Sequence, residues 1–384
     1  MKKKEVIVLL FIVIAQFMCT SLWFAGNAAL PQLGTILNLS TEALGWMTSS
    51  VQFGFIIGTL VYSFFTIADR FNASSVFLIS AILGALANTL ITIQETYFGM
   101  LFFRFLTGFF LAGIYPVGMK IASDHFEKGL EKAMSFLVGA LVLGTALPHL
   151  IASFDTSLNW KFVLYITSCL AVLGGLLIKL FVGEGPFKKR GSKPRLSAVA
   201  DIFKNKKFRA ASFGYFGHMW ELYAFWAFVP LMLKSNGHLR FYSEELISFQ
   251  SFIIIALGSI SCAIGGFLSE KFGTRKMAAL FLFASGVCCL ISPIAFEFGR
   301  PFFLAFMIFW GLVVIADSPL FSTLVAQNSN PEIKGTALTL VTSIGFAITI
   351  LSIQLLSYLS VQLGEFAYLF LFLGPVFGLI SLRK

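Results

Sequence analysis

The sequence predicts an all-α polytopic membrane protein with 12 transmembrane helices in two pseudo-symmetric six-helix bundles. The first observation behind this prediction is composition: 58% of the 384 residues are hydrophobic and only 12% are charged, whereas soluble domains carry roughly 25% charged residues. The second is that apolar runs of about 20 residues, long enough to cross a bilayer as a helix, recur along the chain. A transmembrane barrel is excluded, because its strands would need only about ten residues of alternating polarity.

Twelve apolar segments supply the predicted spans, and all but one of the connections between them are short. Numbered 1 to 12 in chain order, the spans are 6–31, 44–67, 74–94, 97–121, 132–153, 160–182, 208–233, 244–269, 275–296, 301–326, 335–358 and 361–381. The first is assigned as a span rather than a signal peptide, because it exceeds the roughly 7–15 apolar residues of a signal peptide and no small-residue cleavage site follows.

The single long connection, 183–207, contains Gly, Pro and Ser and is strongly basic. It predicts an N-terminal six-helix bundle at 1–182, a cytoplasmic linker at 183–207 and a C-terminal six-helix bundle at 208–384. With the N-terminus in the cytoplasm, 23 of the 28 Lys and Arg residues lie at or beyond the cytoplasmic ends of the spans, four lie at or beyond the other ends, and Arg104, inside span 4, is counted on neither side. By the positive-inside rule, both termini are expected in the cytoplasm. The protein itself is expected in the inner (plasma) membrane of the cell.

The two halves resemble each other. The connection between spans 2 and 3 reads FTIADRFNASS, and the one between spans 8 and 9 reads GFLSEKFGTRK, so that Asp69 aligns with Glu270. The aligned residues of spans 4 and 10 are Gly108 with Gly311 and Pro116 with Pro319. Internal duplication of this kind is typical of transporters whose substrate site lies between repeats.

The segment 266–276 resembles the Gly-x-Leu-x-Asp/Glu-Lys/Arg-x-Gly-x-Arg-Lys signature of the major facilitator superfamily (MFS), and the 12 spans and long central loop are similar to that family too. The resemblance implies the MFS fold and a latch role for the acidic motif residues at the cytoplasmic end. The gate-motif residues it implies are Asp69, Arg70, Gly266, Glu270, Lys271, Gly273, Arg275 and Lys276. In the N-terminal copy Phe65 replaces the first glycine and Ser74–Ser75 the basic pair, and Asn72 is expected to supply the left-handed turn.

At the subfamily level, span 7 resembles that of the nitrate, nitrite and cyanate carriers. Nitrate carriers of this kind present arginines in spans 2 and 8, where this chain has Gln52 and Gln250, so a nitrate substrate is not expected. The Gly-Pro-x-x-Gly-Gly pattern of drug antiporters is absent from span 5, which argues against multidrug export without excluding it.

Span 1 carries the polar side chains Gln16, Thr20, Trp23 and Asn27 at steps of four, three and four, which share one helical face. A polar stripe facing lipid is costly, so we expect it to face the bundle interior and bind substrate. Hydrogen bonding between helices is the alternative for each residue.

Span 4 carries Arg104, with Tyr115 on the same side as a candidate substrate contact. The position of Arg104 resembles the span-4 arginine of the family's second motif, which is associated with proton coupling in many exporters. Because Arg104 lies only about 10 Å along the helix from Tyr97, a structural arginine that snorkels to the interface is the alternative.

Span 7 carries His218 and Glu221, three residues apart and therefore on one face. An ionisable group at bilayer depth costs at least about 2.5 kcal/mol, so a functional role is expected. His titrates near neutrality and desolvation moves a carboxylate toward that range, so both are candidate proton-coupling groups. The neighbouring aromatic candidates for substrate contact are Trp220, Tyr223 and Trp226.

Span 10 carries Asp317 just before Pro319, on the same face as Trp310. A carboxylate beside a helix-breaking proline predicts a local opening where freed carbonyls and the acid meet water. Asp317 is therefore the second candidate proton carrier and Trp310 a candidate substrate contact. A structural acid satisfied within the bundle is the alternative.

These observations predict a secondary active transporter that moves a small organic solute by alternating access and is coupled to protons as symporter or antiporter. The expected partners are a small-molecule substrate, protons and the lipid bilayer, and we expect a monomer without nucleic acid, metal or cofactor. An organic-anion carrier or exchanger that grips its substrate with Arg104, or a drug exporter, is the alternative within transport.

An enzyme or a non-transporting receptor is the alternative from another class. The four histidines lie in different segments, and the chain has no HExxH, no Gly-x-Ser-x-Gly and no phosphate-binding Gly-rich loop. The five cysteines lie within apolar spans without metal-ligand spacing and are expected to serve packing. Enzymatic activity is therefore not expected.

Overall fold

The computed structural model describes residues 3–37, 42–126, 130–154, 159–188, 202–237, 242–329 and 334–383. These residues form helices and no β-strand. The chain divides into two compact units, Met1–Leu39 with Ser50–Pro194 and Ser40–Ser49 with Arg195–Lys384. Pro194, where the first unit ends, belongs to the predicted linker, whose residues 189–201 lie outside the described residues.

In the first half of the chain, spans 1 and 4 are each interrupted. Their helices are Lys3–Thr20 and Ala25–Leu37 for span 1, and Tyr97–Leu111 and Tyr115–His125 for span 4. The other helices are Glu42–Phe64 with the short Ile67–Arg70 for span 2, Ala73–Leu90 for span 3, Leu130–Ala152 for span 5 and Lys161–Leu177, extended by a π-helical turn to Val182, for span 6.

In the second half, span 7 is a single helix of 30 residues, Lys206–Ser235. Spans 8 and 10 are interrupted at one residue each. The helices are Glu244–Ala256 and Gly258–Phe272 for span 8, Thr274–Ala295 for span 9, Arg300–Ala316 and Ser318–Gln327 for span 10, Lys334–Leu363 for span 11, and the 3₁₀-helical Gly364–Phe372 with Leu373–Arg383 for span 12.

The twelve-span architecture is confirmed. Within the described residues, ten helical segments are long and apolar enough to cross a membrane, and one of them, Ala337–Arg383, has 47 residues. It holds spans 11 and 12, which pack against each other and are separated at Gly364, whose φ of 56° breaks the helix. Span 7, the helix Lys206–Ser235, is the twelfth and is not among those ten segments.

Glycines let helices touch backbone to backbone at equivalent places in the two halves. A Cβ on Gly108 of span 4 would collide with the carbonyl of Val51 in span 2, and one on Gly311 of span 10 would collide with the carbonyl of Ile254 in span 8. The glycines aligned from the sequence thus make the same contact in both halves. Packing of this kind, with small residues at the interface, is how membrane helices approach closely.

Replacing Gly108 by Ala should destabilise the protein by about 1–3 kcal/mol, because the added methyl group can be accommodated only by moving the backbone of span 2. Thermal unfolding in detergent measures the effect. The matched control is Gly34→Ala, since Gly34 also lies in a helix but has no atom within 4 Å of its ideal Cβ position. Equal melting temperatures for the two variants would contradict the prediction.

The connection between spans 2 and 3 differs from the expectation. Asn72 has a φ of −64° and caps the following helix, with its side chain accepting from the Ser75 amide at 3.0 Å. The left-handed residue in this copy is Thr66, with a φ of 49°. In the second copy Gly273 takes the positive φ, 92°, as the motif requires. The expectation for Asn72 was therefore wrong. Its side-chain oxygen caps the helix of span 3, and an N-cap residue takes an extended rather than a left-handed backbone conformation.

Candidate functional site

Span 7 presents different side chains to different neighbours. His218 and Glu221 both reach span 10, as their three-residue spacing predicts. Tyr223 packs on Phe346 of span 11, with ring centroids 5.1 Å apart. Trp220 donates its indole N–H to the carbonyl of Phe370 in span 12 at 3.0 Å. The ionisable face of the helix is therefore separate from its aromatic faces.

His218 and Asp317 form a close, buried pair. His218 Nδ1 lies 2.8 Å from Asp317 Oδ1, and each side chain is 1% exposed. The pair is flanked by aromatic rings, since Tyr215 and Phe321 have centroids 6.0 and 6.1 Å from the imidazole. His218 Nε2 has no hydrogen-bond partner among the residues the structure describes. The second ring nitrogen of His218 is thus not engaged by a described side chain or backbone group.

Glu221 is held by three neutral donors. Its Oε1 accepts from Trp310 Nε1 at 2.7 Å and from Cys289 Sγ at 3.3 Å, and its Oε2 accepts from Ser285 Oγ at 2.9 Å. The side chain is buried, at 1% exposure for the residue. No described Lys or Arg pairs with it. Hydrogen bonds from neutral donors stabilise a carboxylate, but they do not hold it in the charged form as a neighbouring Lys or Arg would.

The break in span 10 lies where the sequence placed it. The first helix ends at Ala316 and the second begins at Ser318, so Asp317 sits at the junction. Pro319 has no N–H for the carbonyl of Ile315, four residues earlier. That carbonyl accepts instead from the backbone N–H of Asp317 and from the thiol of Cys262 in span 8, the latter at 3.7 Å. The acid therefore lies at a short interruption that the bundle itself stabilises.

Two aromatic candidates of span 7 cluster toward span 11, away from the acids. The rings of Tyr223 and Trp226 are 5.2 Å apart and nearly perpendicular, and both side chains are buried. Trp310 differs from them, because its indole donates to Glu221 and its ring packs on Phe225 at 4.7 Å. Of the aromatic residues singled out in the sequence, Trp310 alone is joined to an acid by a hydrogen bond that the structure describes.

Arg104 lies in the first unit and is completely buried. Its guanidinium donates to the carbonyl of Leu22 at 3.0 Å and also to the carbonyl of Trp23. Both carbonyls belong to the interruption between the two helices of span 1. No described carboxylate pairs with Arg104. The side chain therefore holds the broken segment of span 1, rather than snorkelling to an interface.

The polar stripe of span 1 crosses this interruption and is not carried by one continuous helix. Gln16 and Thr20 belong to the first helix, Trp23 to the break and Asn27 to the second helix. Thr20 donates to the carbonyl of Gln16 at 2.8 Å. The Gln16 amide is fully buried, with no hydrogen-bond partner among the described residues. Tyr115, the other candidate of this unit, is half-buried at the start of the second helix of span 4.

The gate-motif acids have different environments. Asp69 lies 3.3 Å from Lys120 at the end of span 4, and Lys120 also pairs with Asp124 at 2.9 Å. Glu270 is exposed and pairs with no basic residue that the structure describes. The basic residue that pairs with Asp69 is thus a lysine of the same unit. The latch role that the family resemblance implies for both acids remains a prediction.

The basic contact beside the motif is reversed between the two units. In the second unit Arg275, from the motif, donates to the carbonyl of Leu382 at the end of span 12. In the first unit Lys179, from the end of span 6, donates to Ser75 of the motif segment at 2.7 Å. In both units a basic side chain joins the motif segment to the last span, although it comes from opposite sides of the contact.

Sequence reasoning missed the partners of Glu221. Ser285 and Cys289 lie four residues apart on one face of span 9, and Ser292 continues that stripe at a step of three. The same spacing argument that selected the stripe of span 1 would have found this one. Cys289, expected to serve packing, also contacts the candidate proton carrier. No comparable sequence pattern indicates which carbonyl groups Arg104 contacts.

The family model of the Major Facilitator Superfamily matches residues 12–353. A bicyclomycin resistance protein homolog of Haemophilus influenzae is 23% identical over 329 residues, which cover 81% of this chain and 79% of that protein. An uncharacterized protein of Campylobacter jejuni is 24% identical over 271 residues, covering 70% and 82%. Human solute carrier family 22 member 2 is 33% identical over 138 residues, covering 32% and 24%.

Among solved structures, a bacterial homolog of the human lysosomal transporter Spinster, in an inward-facing and unoccupied conformation, superposes with a TM-score of 0.74 at 15% identity. The match covers 100% of this chain and 96% of that one. At this identity the similarity shows the fold alone.

Proposed function

The chain belongs to the major facilitator superfamily, and we propose that it is a secondary active transporter that carries a small organic solute by alternating access and is driven by protons. Transport in general follows from the family. The solute class, the proton coupling and the alternating access are the proposal. Glu221 and Asp317 are its proton carriers, with His218 as the partner of Asp317.

The observation that carries the proposal is the pair of buried acids on adjacent helices of the second unit. Glu221 has only neutral donors, and Asp317 has only the imidazole of His218, among the described residues. An Arg or Lys partner would fix such an acid in its charged form, whereas neutral donors and a histidine leave both protonation states accessible. Ionisable residues buried in transmembrane bundles are rare and mark proton relays.

The proposed solute contacts are Gln16 and Asn27 of span 1 and the aromatic residues of spans 7 and 10. Gln16 supports this assignment because an amide buried without a partner among the described residues is costly unless water or a ligand satisfies it. Thr20 and Tyr115 are proposed as groups that flank the contacts of span 1. Similarity to a bicyclomycin resistance protein homolog supports an organic rather than an inorganic solute.

A carrier or exchanger of organic anions is the second candidate. Arg104 favours it, because the guanidinium is completely buried and is balanced only by carbonyl dipoles among the described residues. In that case Arg104 would grip the anion and the two acids would be structural.

We also propose that the protein lies in the inner (plasma) membrane with both termini in the cytoplasm. The distribution of basic residues supports this orientation, since 23 of the 28 Lys and Arg residues would lie on the cytoplasmic side.

The test begins with a thermal-shift screen of purified protein against metabolites, anions and drugs, because a ligand that binds the folded state raises its melting temperature. Each ligand found is then presented to proteoliposomes with an imposed pH gradient. Accumulation that requires the gradient, together with proton movement on addition of the ligand, is the expected result. Transport that ignores the gradient but requires a counter-substrate would favour the anion exchanger instead.

A further inference from the structure

The hydroxyl of Ser285 lies between two acceptors. Its Oγ is 2.9 Å from Glu221 Oε2 and 3.1 Å from the carbonyl of Leu282 one turn earlier in span 9. A serine hydroxyl has a single hydrogen, which can rotate, and two lone pairs that can accept. Ser285 can therefore donate to only one of these two acceptors at a time. Both acceptors are nevertheless within hydrogen-bond distance of Oγ without any movement of heavy atoms.

The two oxygens of Glu221 are not equivalent. Oε1 accepts from the indole N–H of Trp310, which can only donate, and from the thiol of Cys289. Oε2 has Ser285 as its described partner. Since a proton on Oε1 would face the hydrogen of Trp310, Oε2 is the oxygen that can carry a proton.

We propose that Ser285 is the positioning residue that lets Glu221 bind and release a proton in place. With Glu221 charged, the Ser285 hydroxyl donates to Oε2. When a proton binds Oε2, that O–H donates to Ser285 Oγ, and the serine hydrogen rotates to the carbonyl of Leu282. In each state the Ser285 hydrogen has an acceptor and Oε2 of Glu221 is hydrogen-bonded to Ser285 Oγ, and no heavy atom needs to move. The proposal rests on the proton-carrier role given to Glu221 above.

The other titratable groups around Glu221 are few. Span 9 contributes Cys288 and Cys289, span 10 contributes Asp317, and its own helix contributes His218. His218 is paired with Asp317, so it is not the hydrogen-bond partner of Glu221. Within the described residues, Ser285 is therefore the hydroxyl group whose orientation can follow the charge at Oε2 of Glu221 directly.

Infrared difference spectroscopy of the purified full-length protein across a pH titration tests this directly, because the stretch of a protonated carboxyl group reports its hydrogen bonding. The band that Glu221→Gln removes belongs to Glu221. We expect this band to move to higher frequency in Ser285→Ala, in which the carboxyl O–H has lost its acceptor. The matched control is Ser251→Ala, since Ser251 is equally buried but donates only to the carbonyl of Ile247, at 2.8 Å.

A second variant separates hydrogen bonding from packing. Ser285→Cys leaves no cavity, because the thiol is slightly larger than the hydroxyl, but it has a weak donor and a weak acceptor, so we expect it to shift the band as Ser285→Ala does. The pH midpoint of gradient-driven transport should also rise in both variants by roughly one unit, because a hydrogen bond to the charged form is about twice as strong as one to the neutral form.

The outcomes separate this inference from the proposed function. An unshifted Glu221 band in Ser285→Ala, or normal behaviour of Ser285→Cys, would overturn the role of Ser285 while leaving Glu221 as the proton carrier. A pH titration in which no carboxyl band depends on Glu221 would overturn the proton-carrier role itself.

Discussion

Replacing Glu221 by Gln should reduce accumulation driven by a pH gradient to the level of liposomes without protein. Gln cannot take up or release a proton, so the coupling step is removed. It should nevertheless fold, because its amide oxygen can still accept from Trp310 and its amide NH₂ can donate to Ser285. Exchange of labelled for unlabelled solute without a gradient should therefore persist, since the variant mimics the protonated carrier.

The matched control is Glu297→Gln, at an exposed glutamate between spans 9 and 10, which should transport normally. Asp317→Asn is the companion variant, because Asp317 is the other buried acid. We expect it to weaken gradient-driven transport and also to destabilise the protein, since His218 then faces a neutral amide in place of a carboxyl group. If both variants accumulate solute at the wild-type rate, protons are not coupled through these acids.

Replacing Arg104 by Ala should destabilise the protein by roughly 3–5 kcal/mol, because two hydrogen bonds from a charged donor are lost and two buried carbonyls are left without it. The interruption of span 1 depends on those bonds, so the loss should be concentrated in the first unit. Unfolding in detergent, followed by thermal scan or denaturant, measures the change. Protection of span 1 amides from hydrogen exchange shows where it occurs.

Arg104→Lys separates charge from geometry. Lysine keeps the positive charge but presents it as a point, whereas the guanidinium fork reaches two successive carbonyls at once. We expect Lys to recover less than half of the stability lost in Arg104→Ala. Arg70→Ala is the control, because Arg70 is exposed in the connection between spans 2 and 3. Full recovery by Lys would mean that charge, and not the fork, holds the segment.

The architecture and the candidate acids could be predicted from local pattern. Apolar length predicts most of the spans, and an ionisable residue within a span is conspicuous, as Glu221 and Asp317 were. The break at Asp317 was also predictable, because Pro319 removes a backbone donor whatever surrounds it. Each of these inferences needs only residues close together in the sequence.

The remainder depends on distant residues. The interruption of span 1 at residues 21–24 contains no proline or glycine, and its carbonyls are held by an arginine 82 residues from Leu22. Asn72 was expected to take a left-handed turn, yet a cap for span 3 was available to it, and Thr66 took the positive φ instead. Ser285 and Cys289 of span 9 can be recognised as hydrogen-bond partners of Glu221 only once span 7 is known to lie against span 9.

The reversed contact of Lys179 with Ser75 and of Arg275 with Leu382 bears on the ancestry of the chain. After a duplication, natural selection acts on a contact and not on the residue that makes it, so one copy can lose its basic pair once the partner helix has gained a lysine. The weaker motif copy therefore keeps a basic contact to its last span although it lacks the basic pair of the signature. Searches for ancient repeats that score only the signature would overlook such a copy, whereas comparing paired positions would retain it.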